Sequence, residues 1–196
     1  MDQNAVIICL DIIPRLRDNE KLKTIFYTVS SDIVRDVAFK RITEQETLEA
    51  IATNQDTNCD LLGYRLAAIG KITNQEILER LACSGENSEV RIAAIKRIDN
   101  QEYLEKIFEY EFRKNCDYKV LKAILRALRD EKIFERIAMN EEYPEYLRAE
   151  AVDHISQNVL ALSNIAFSSG SEEVREHAMN AFDVLRKIYY SEQIRI

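Results

Sequence analysis

The chain has 196 residues, with 27 basic and 34 acidic side chains for a net charge of −7, and 46% of it is hydrophobic. It holds four glycines and two prolines, against roughly 14 and roughly 10 at average usage. Sheet proteins need those residues for turns, so the scarcity speaks against a β-sandwich or barrel and for an all-helical chain. The same arithmetic excludes collagen-like, disulfide-rich, low-complexity and disordered classes.

Met1-Asp2-Gln3-Asn4 has no basic run of the kind that opens a secretory signal. The longest apolar stretch, Ala5 to Leu10, falls far short of the ~20 residues of a spanning helix. The sequence therefore reads as cytoplasmic, with no membrane partner. Leu16, Leu22 and Ile25 read as the second half of a leading repeat. From Val34 onward one frame recurs. Val34-Arg35 is followed by Ala38 and Ile42, then Gln45-Glu46, Leu48, Ile51 and Ala52. Tyr64-Arg65 leads Ala68, Ile72, Gln75-Glu76, Leu78, Leu81 and Ala82, and Val90-Arg91 leads Ala94, Ile98, Gln101-Glu102, Leu104, Ile107 and Phe108, at identical offsets. A fourth repeat has Leu121 in place of arginine, a fifth starts at Leu147-Arg148 and a sixth at Val174-Arg175. The anchors thus fall at 35, 65, 91, 121, 148 and 175.

Each repeat predicts two short helices. Val34, Ala38, Phe39 and Ile42 share one face of a 3.6-residue helix. Thr43 with Glu46, Thr73 with Glu76, and Asp99 with Glu102 read as capping boxes that start the second helices. Polar segments between repeats read as loops: Asn54–Asp60, Ser84–Glu89, Tyr110–Asp117, Asn140–Glu145 and Ser168–Glu172. Neither helix of a pair can bury its own apolar face, so the pairs are expected to stack into one continuous α-solenoid with atypical end repeats, more polar on the outside. No Pro/Gly-rich linker divides the chain, which reads as a single domain, 1–196.

The Val-Arg-x-x-Ala-x-x-x-Ile frame resembles HEAT-like repeats, and its continuation in Thr-x-Gln-Glu-x-Leu-x-x-Ile-Ala resembles the shorter leucine-rich-repeat variant. The resemblance covers Asp11 to Ile188. It implies an all-α, right-handed, armadillo-like solenoid of about six short helical pairs, with the second helices on the concave side.

Several residue sets bear on function. Arg35, Arg65, Arg91, Arg148 and Arg175 recur with acids just before them, which suggests a ladder of ion pairs and helix caps between repeats. Glu49, Glu79, Glu105 and Glu135 stand in fixed register on the second helices. On a concave surface they form an acidic column that steers a basic segment of a partner protein, unless i,i+4 pairs such as Glu76–Arg80 and Glu102–Lys106 occupy that face. Ile77, Tyr103 and Ile133 stand beside the glutamates as an apolar strip, a position that equally suits packing between helices. Lys40, Arg41, Lys71, Lys96, Arg97 and Arg126 recur on the first helices, but a net acidic chain without tryptophan argues against a nucleic-acid groove. The aromatic residues cluster between Tyr103 and Tyr146.

His154 and His177 stand at different repeat positions, and no catalytic set is recognisable by spacing. Cys9, Cys59, Cys83 and Cys116 form no C-x-x-C pair, and reduced thiols are expected. Cys59 and Cys116 share an Asn-Cys-Asp context, a trace of duplication. The sequence therefore points to a non-catalytic scaffold or adaptor that holds a partner segment on its concave face, with no cofactor and no metal. A ligand-binding or lyase-type HEAT-like protein is the alternative, and nucleic-acid binding a more distant one.

Overall fold

The computed structural model describes residues 3–53, 61–84, 87–114 and 116–193. These residues form thirteen α-helices and one 3₁₀ turn, Ile13–Arg15, with no strand among them. The chain divides into two compact units, Met1–Arg97 and Ile98–Ile196. The N-terminal unit contains α1 (Gln3–Ile12), α2 (Asn19–Thr28), α3 (Asp32–Arg41), α4 (Gln45–Thr53), α5 (Leu62–Lys71), α6 (Gln75–Ser84) and α7 (Ser88–Ile95). The C-terminal unit contains α8 (Gln101–Lys114), α9 (Tyr118–Ala127), α10 (Glu131–Met139), α11 (Glu145–Val152), α12 (Val159–Ser168) and α13 (Glu172–Gln193).

Packing within each unit follows the repeat frame. In the N-terminal unit α2 packs on α3, α4 on α5 and α6 on α7, while α4 lies against α6 and α5 against α7. In the C-terminal unit α8 packs on α9, α10 on α11 and α12 on α13, while α10 lies against α12 and α11 against both α9 and α13. The anchor-plus-three positions, Ala38, Ala68, Ala94, Ile124, Ala151 and Ala178, are all fully buried. Alanine in five of the six leaves room for close approach of neighbouring helices. The second helices bury Leu48, Ile51 and Ala52 on α4, and Leu78, Leu81 and Ala82 on α6. Each large aliphatic buried this way contributes roughly 1.5–3 kcal/mol. In the leading repeat α2 buries Leu22 and Phe26, and Ile25 is half-buried.

Two local expectations change. The second helices start one residue later than the capping boxes require. Asn74 Oδ1 accepts from Glu76 N at 2.9 Å, and Asn100 Oδ1 accepts from Glu102 N at 2.9 Å, so these asparagines are the N-caps. Thr73 N is already committed to the side chain of Gln45, one repeat earlier, at 2.7 Å. The expected loop Tyr110–Asp117 is helical as far as Lys114, because no glycine or proline lies between Phe108 and Asp117 and the turn after α10 gives the extension a surface to pack on. There Tyr143 sets its ring edge-on to Phe108 and Phe112, at 5.5 and 4.7 Å between centroids. α8 then closes at Cys116, whose φ of 50° lets its N–H donate to Glu111 O at 2.7 Å. The expected loop Asn54–Asp60, with Cys59, lies outside the described residues.

Candidate functional site

The anchor arginines mainly hold helix ends. Arg148 is 5% exposed and sends Nε to Ala138 O at 2.8 Å and a terminal nitrogen to Ser169 Oγ at 3.0 Å. Arg65 Nε reaches Ala52 O at 2.9 Å, Arg175 reaches Ser169 O at 2.8 Å, and Arg35 bonds Phe26 O at 3.2 Å and Val29 O at 2.6 Å. Apart from Ser169 Oγ, these acceptors are carbonyls at the C-terminal end of the preceding second helix, left without an intrahelical donor and carrying the negative end of its dipole. The expected ion-pair ladder is thus chiefly an arginine-to-carbonyl ladder, to which Arg35 adds a contact with Asp32.

The first-helix cations repeat this logic. Lys71 Nζ donates to Phe39 O at 3.0 Å and also to Lys40 O and Ile42 O. Desolvation lowers its pKa. Arg97 reaches Ile72 O at 3.2 Å and Arg41 reaches Leu16 O at 3.3 Å. Lys40, Lys96 and Arg126 are exposed.

A second ladder, made of amides and carboxylates, joins successive repeats within each unit. The first residue of a second helix reaches the turn between the helices of the next repeat. Asn19 accepts from Thr43 N, and Gln45 from Thr73 N and Asn74 N. In the C-terminal unit Gln101 accepts from Arg129 N at 2.7 Å, and Glu131 from Ser156 N and Gln157 N at 2.8 and 2.9 Å. The recurrence of Gln45, Gln75 and Gln101 was visible in the sequence, but this role was not.

The acidic register is half neutralised. Glu49 takes a bidentate pair from Arg80 at 2.9 and 2.8 Å, which raises the Arg80 pKa. Glu105 is paired by one terminal nitrogen of Arg136. Both pairs link neighbouring repeats, and no Glu76–Arg80 or Glu102–Lys106 pair forms among the described residues. Glu79 and Glu135 are half-buried and carry no ion pair among the described residues. Each unit thus presents one matched and one open carboxylate from this register. The apolar strip does not survive as a contact surface. Ile77 is 1% exposed and Ile133 is 7% exposed, because that position turns into the core between helices. Tyr103 is half-buried, with Lys106 Nζ 5.6 Å from its ring centroid.

Other polar groups are structural. Tyr64 donates to Asp36, and burial followed by this bond pushes its pKa up to about 12. Tyr143 donates to Glu109 at 2.5 Å, and its pKa is likewise raised, first by burial. His154 stacks on Phe134 at 5.2 Å between centroids, with Nε2 buried and without a hydrogen-bond partner among the described residues. Burial lowers its pKa. His177 Nδ1 lies 2.8 Å from Asp153. Cys9 and Cys116 carry free thiols. No three metal-ligating side chains converge among the described residues, and no described helix is long and apolar enough to cross a membrane.

One surface departs from the frame. α12 contains no charged residue, and Leu160 and Phe167, seven residues apart on one face, are 72% and 81% exposed. An open depression of about 520 Å³ lies beside it, lined by Ala166 of α12 and by Arg175, Glu176 and Met179 of α13, among others. The sequence signal was the absence of Glu, Lys and Arg from Val159 to Ser168. Comparison with family models, curated proteins and solved structures finds no match to this chain.

Proposed function

We propose that this protein is a non-catalytic interaction scaffold, a right-handed HEAT-like solenoid that holds a basic segment of a partner protein along its second helices. The observation that carries this reading is the state of the glutamate register. Glu79 and Glu135 stay open, while Glu49 and Glu105 are matched by arginines of the next repeat. Half-buried carboxylates on a helical face attract cations more strongly than fully solvated ones, because nearby protein lowers the effective dielectric. The first-helix cations whose bonds reach main-chain carbonyls are already engaged in holding the fold, which supports a protein partner over a phosphate backbone.

The test is affinity capture followed by direct titration of the captured partner. Glu79→Lys/Glu135→Lys is expected to lose binding at low salt, with a circular-dichroism melt like that of wild type. Glu49→Gln, which removes a matched carboxylate, is expected to retain it. Equal binding by wild type and the double reversal would remove the partner from this register.

A further inference from the structure

The groove between α12 and α13 is the place in the fold where the repeat rules stop. The anchor-plus-four position is buried in five repeats, as Phe39, Ile69, Ile95, Leu125 and Val152, whereas its sixth occupant, Met179, is 44% exposed. The anchor-plus-seven position is buried as Ile42, Ile72, Ile98, Leu128 and Ile155, but Phe182 is half-open. Beyond Ala178 no described side chain of α13 is buried, and Val184 and Ile188 are exposed. An apolar surface waits where the other repeats place helix against helix.

The neighbouring flank of α12 shows that this surface is not built for another repeat of the same kind. The amide and carboxylate ladder and the two glutamate–arginine pairs that join neighbouring repeats have no counterpart here. The position from which Gln101 and Glu131 reach the following turn is occupied by Val159, which has no acceptor and is 47% exposed. The position of Glu49 and Glu105, which recruit an arginine from the next repeat, is occupied by Ser163. A further repeat, or a second copy stacked in the same register, would find none of the bonds that align the others. What remains is a trough of mixed character, in which Ala166 and Met179 stand beside Asn180 and the charged Glu172, Arg175 and Glu176. Glu172 and Glu176 line it and Glu173 is exposed beside it, while the nearest cation, Arg175, is committed to Ser169 O at 2.8 Å.

We propose that this groove and the exposed flank of α12 beside it dock a single amphipathic helix from a partner protein, with a Leu/Ile stripe against Met179 in the groove and Val159 on α12, and with Lys or Arg beside Glu172 and Glu176. Helix-in-groove recognition of this kind takes its affinity from apolar residues at helical spacing and its selectivity from flanking charge. The site is separate from the glutamate register of the second helices.

The experiment uses the full chain and two synthetic peptides with the Ile-Phe-x-x-Ile-Ala spacing of α10. One carries lysines at the remaining positions and the other glutamates. Fluorescence anisotropy is expected to show binding of the lysine peptide, with the glutamate peptide weaker by at least about tenfold. The exposed double substitution Val159→Lys/Met179→Lys is expected to weaken the lysine peptide by at least about tenfold, with an unchanged thermal melt. No binding of the lysine peptide, equal affinity for the two peptides, or unaltered binding by the double variant would overturn the proposal. So would a dimer of the wild-type chain in light scattering that becomes monomeric in the double variant, since a second copy would then occupy the groove.

Discussion

A guanidinium can be held by carboxylates or by the carbonyls at a helix end, and this chain uses both. Arg148 is buried and bonds Ala138 O and Ser169 Oγ. Arg148→Met keeps much of the apolar contact but leaves the buried Ala138 O without its side-chain donor and Ser169 Oγ with only the long bond from Ser171 N at 3.4 Å. The expected loss is about 3 kcal/mol, since each stranded acceptor costs roughly 1–3 kcal/mol. Arg148→Lys is expected to recover little, because one ammonium cannot reproduce the planar fork that serves both acceptors. Arg80 is an exposed partner of Glu49. Arg80→Met is expected to cost less than about 1 kcal/mol, as solvent screens the pair. Urea midpoints of the three variants measure the ranking, and an Arg148→Met midpoint close to that of Arg80→Met would contradict the carbonyl-capping role. The sequence made this arginine visible as a repeat anchor, but its acceptors lie about ten and about twenty residues away and on main-chain or hydroxyl oxygens. A search for acidic neighbours in the sequence finds only those that are close along the chain, such as Asp32 for Arg35.

At the scale of elements, α8 shows how tertiary contact extends a helix past its repeat. Its last turns pack under Tyr143, whose ring meets Phe108 and Phe112 and whose hydroxyl donates to Glu109. Tyr143→Ala is expected to cost about 3–5 kcal/mol, as for other large aromatic deletions, and to speed hydrogen exchange at the amides of residues 109–113. Tyr143→Phe is expected to cost only about 1 kcal/mol and to leave exchange nearly unchanged. Protected amides in the alanine variant would mean that α8 holds its length by local propensity alone. The apolar frame was legible because burial at fixed offsets shows in residue type. Helix boundaries were less so. Thr73 and Asn74 are both good N-cap residues, and it is Asn74 whose side chain accepts from Glu76 N, while Gln45 of the previous repeat holds the backbone N–H groups of both. Ile77 and Ile133 were ambiguous for a similar reason, since a second-helix isoleucine beside a glutamate suits a contact strip as well as a core seam. α12, the second helix of the fifth repeat, keeps the apolar frame at Leu162, Ile165 and Ala166 but leaves Leu160 and Phe167 open to solvent.

For the molecule as a whole, the displaced titrations set how stability varies with pH. His154 is held below its usual pKa of 6.5, first by burial, with Glu150 and Asp153 opposing. The unfolded chain therefore takes up this proton before the folded one does. Stability attributable to His154 is complete above about pH 6.5 and falls as pH drops below it. Asp18, whose pKa is lowered from 3.8 chiefly by the bond from Lys21 N, acts later in the same direction, as pH falls below about 4. On the alkaline side Tyr64 and Tyr143 stay protonated in the fold beyond the ordinary value of 10. The unfolded chain ionises them first, and stability declines as pH rises above about 10. Lys71, with its lowered pKa, opposes this decline over the same range. Urea midpoints across pH are thus expected to form a plateau between about pH 7 and 9.5 and to fall on both sides. The plateau alone does not assign the acid limb, because the chain carries 34 carboxylate side chains. His154→Phe does assign it. Phenylalanine keeps the stack on Phe134 and removes both the buried, unpaired Nε2 and the proton. The variant is expected to match or exceed wild type at pH 8 and to lose less stability between about pH 6.5 and 5. Parallel curves for the two proteins through that interval would place the acid limb on the carboxylates.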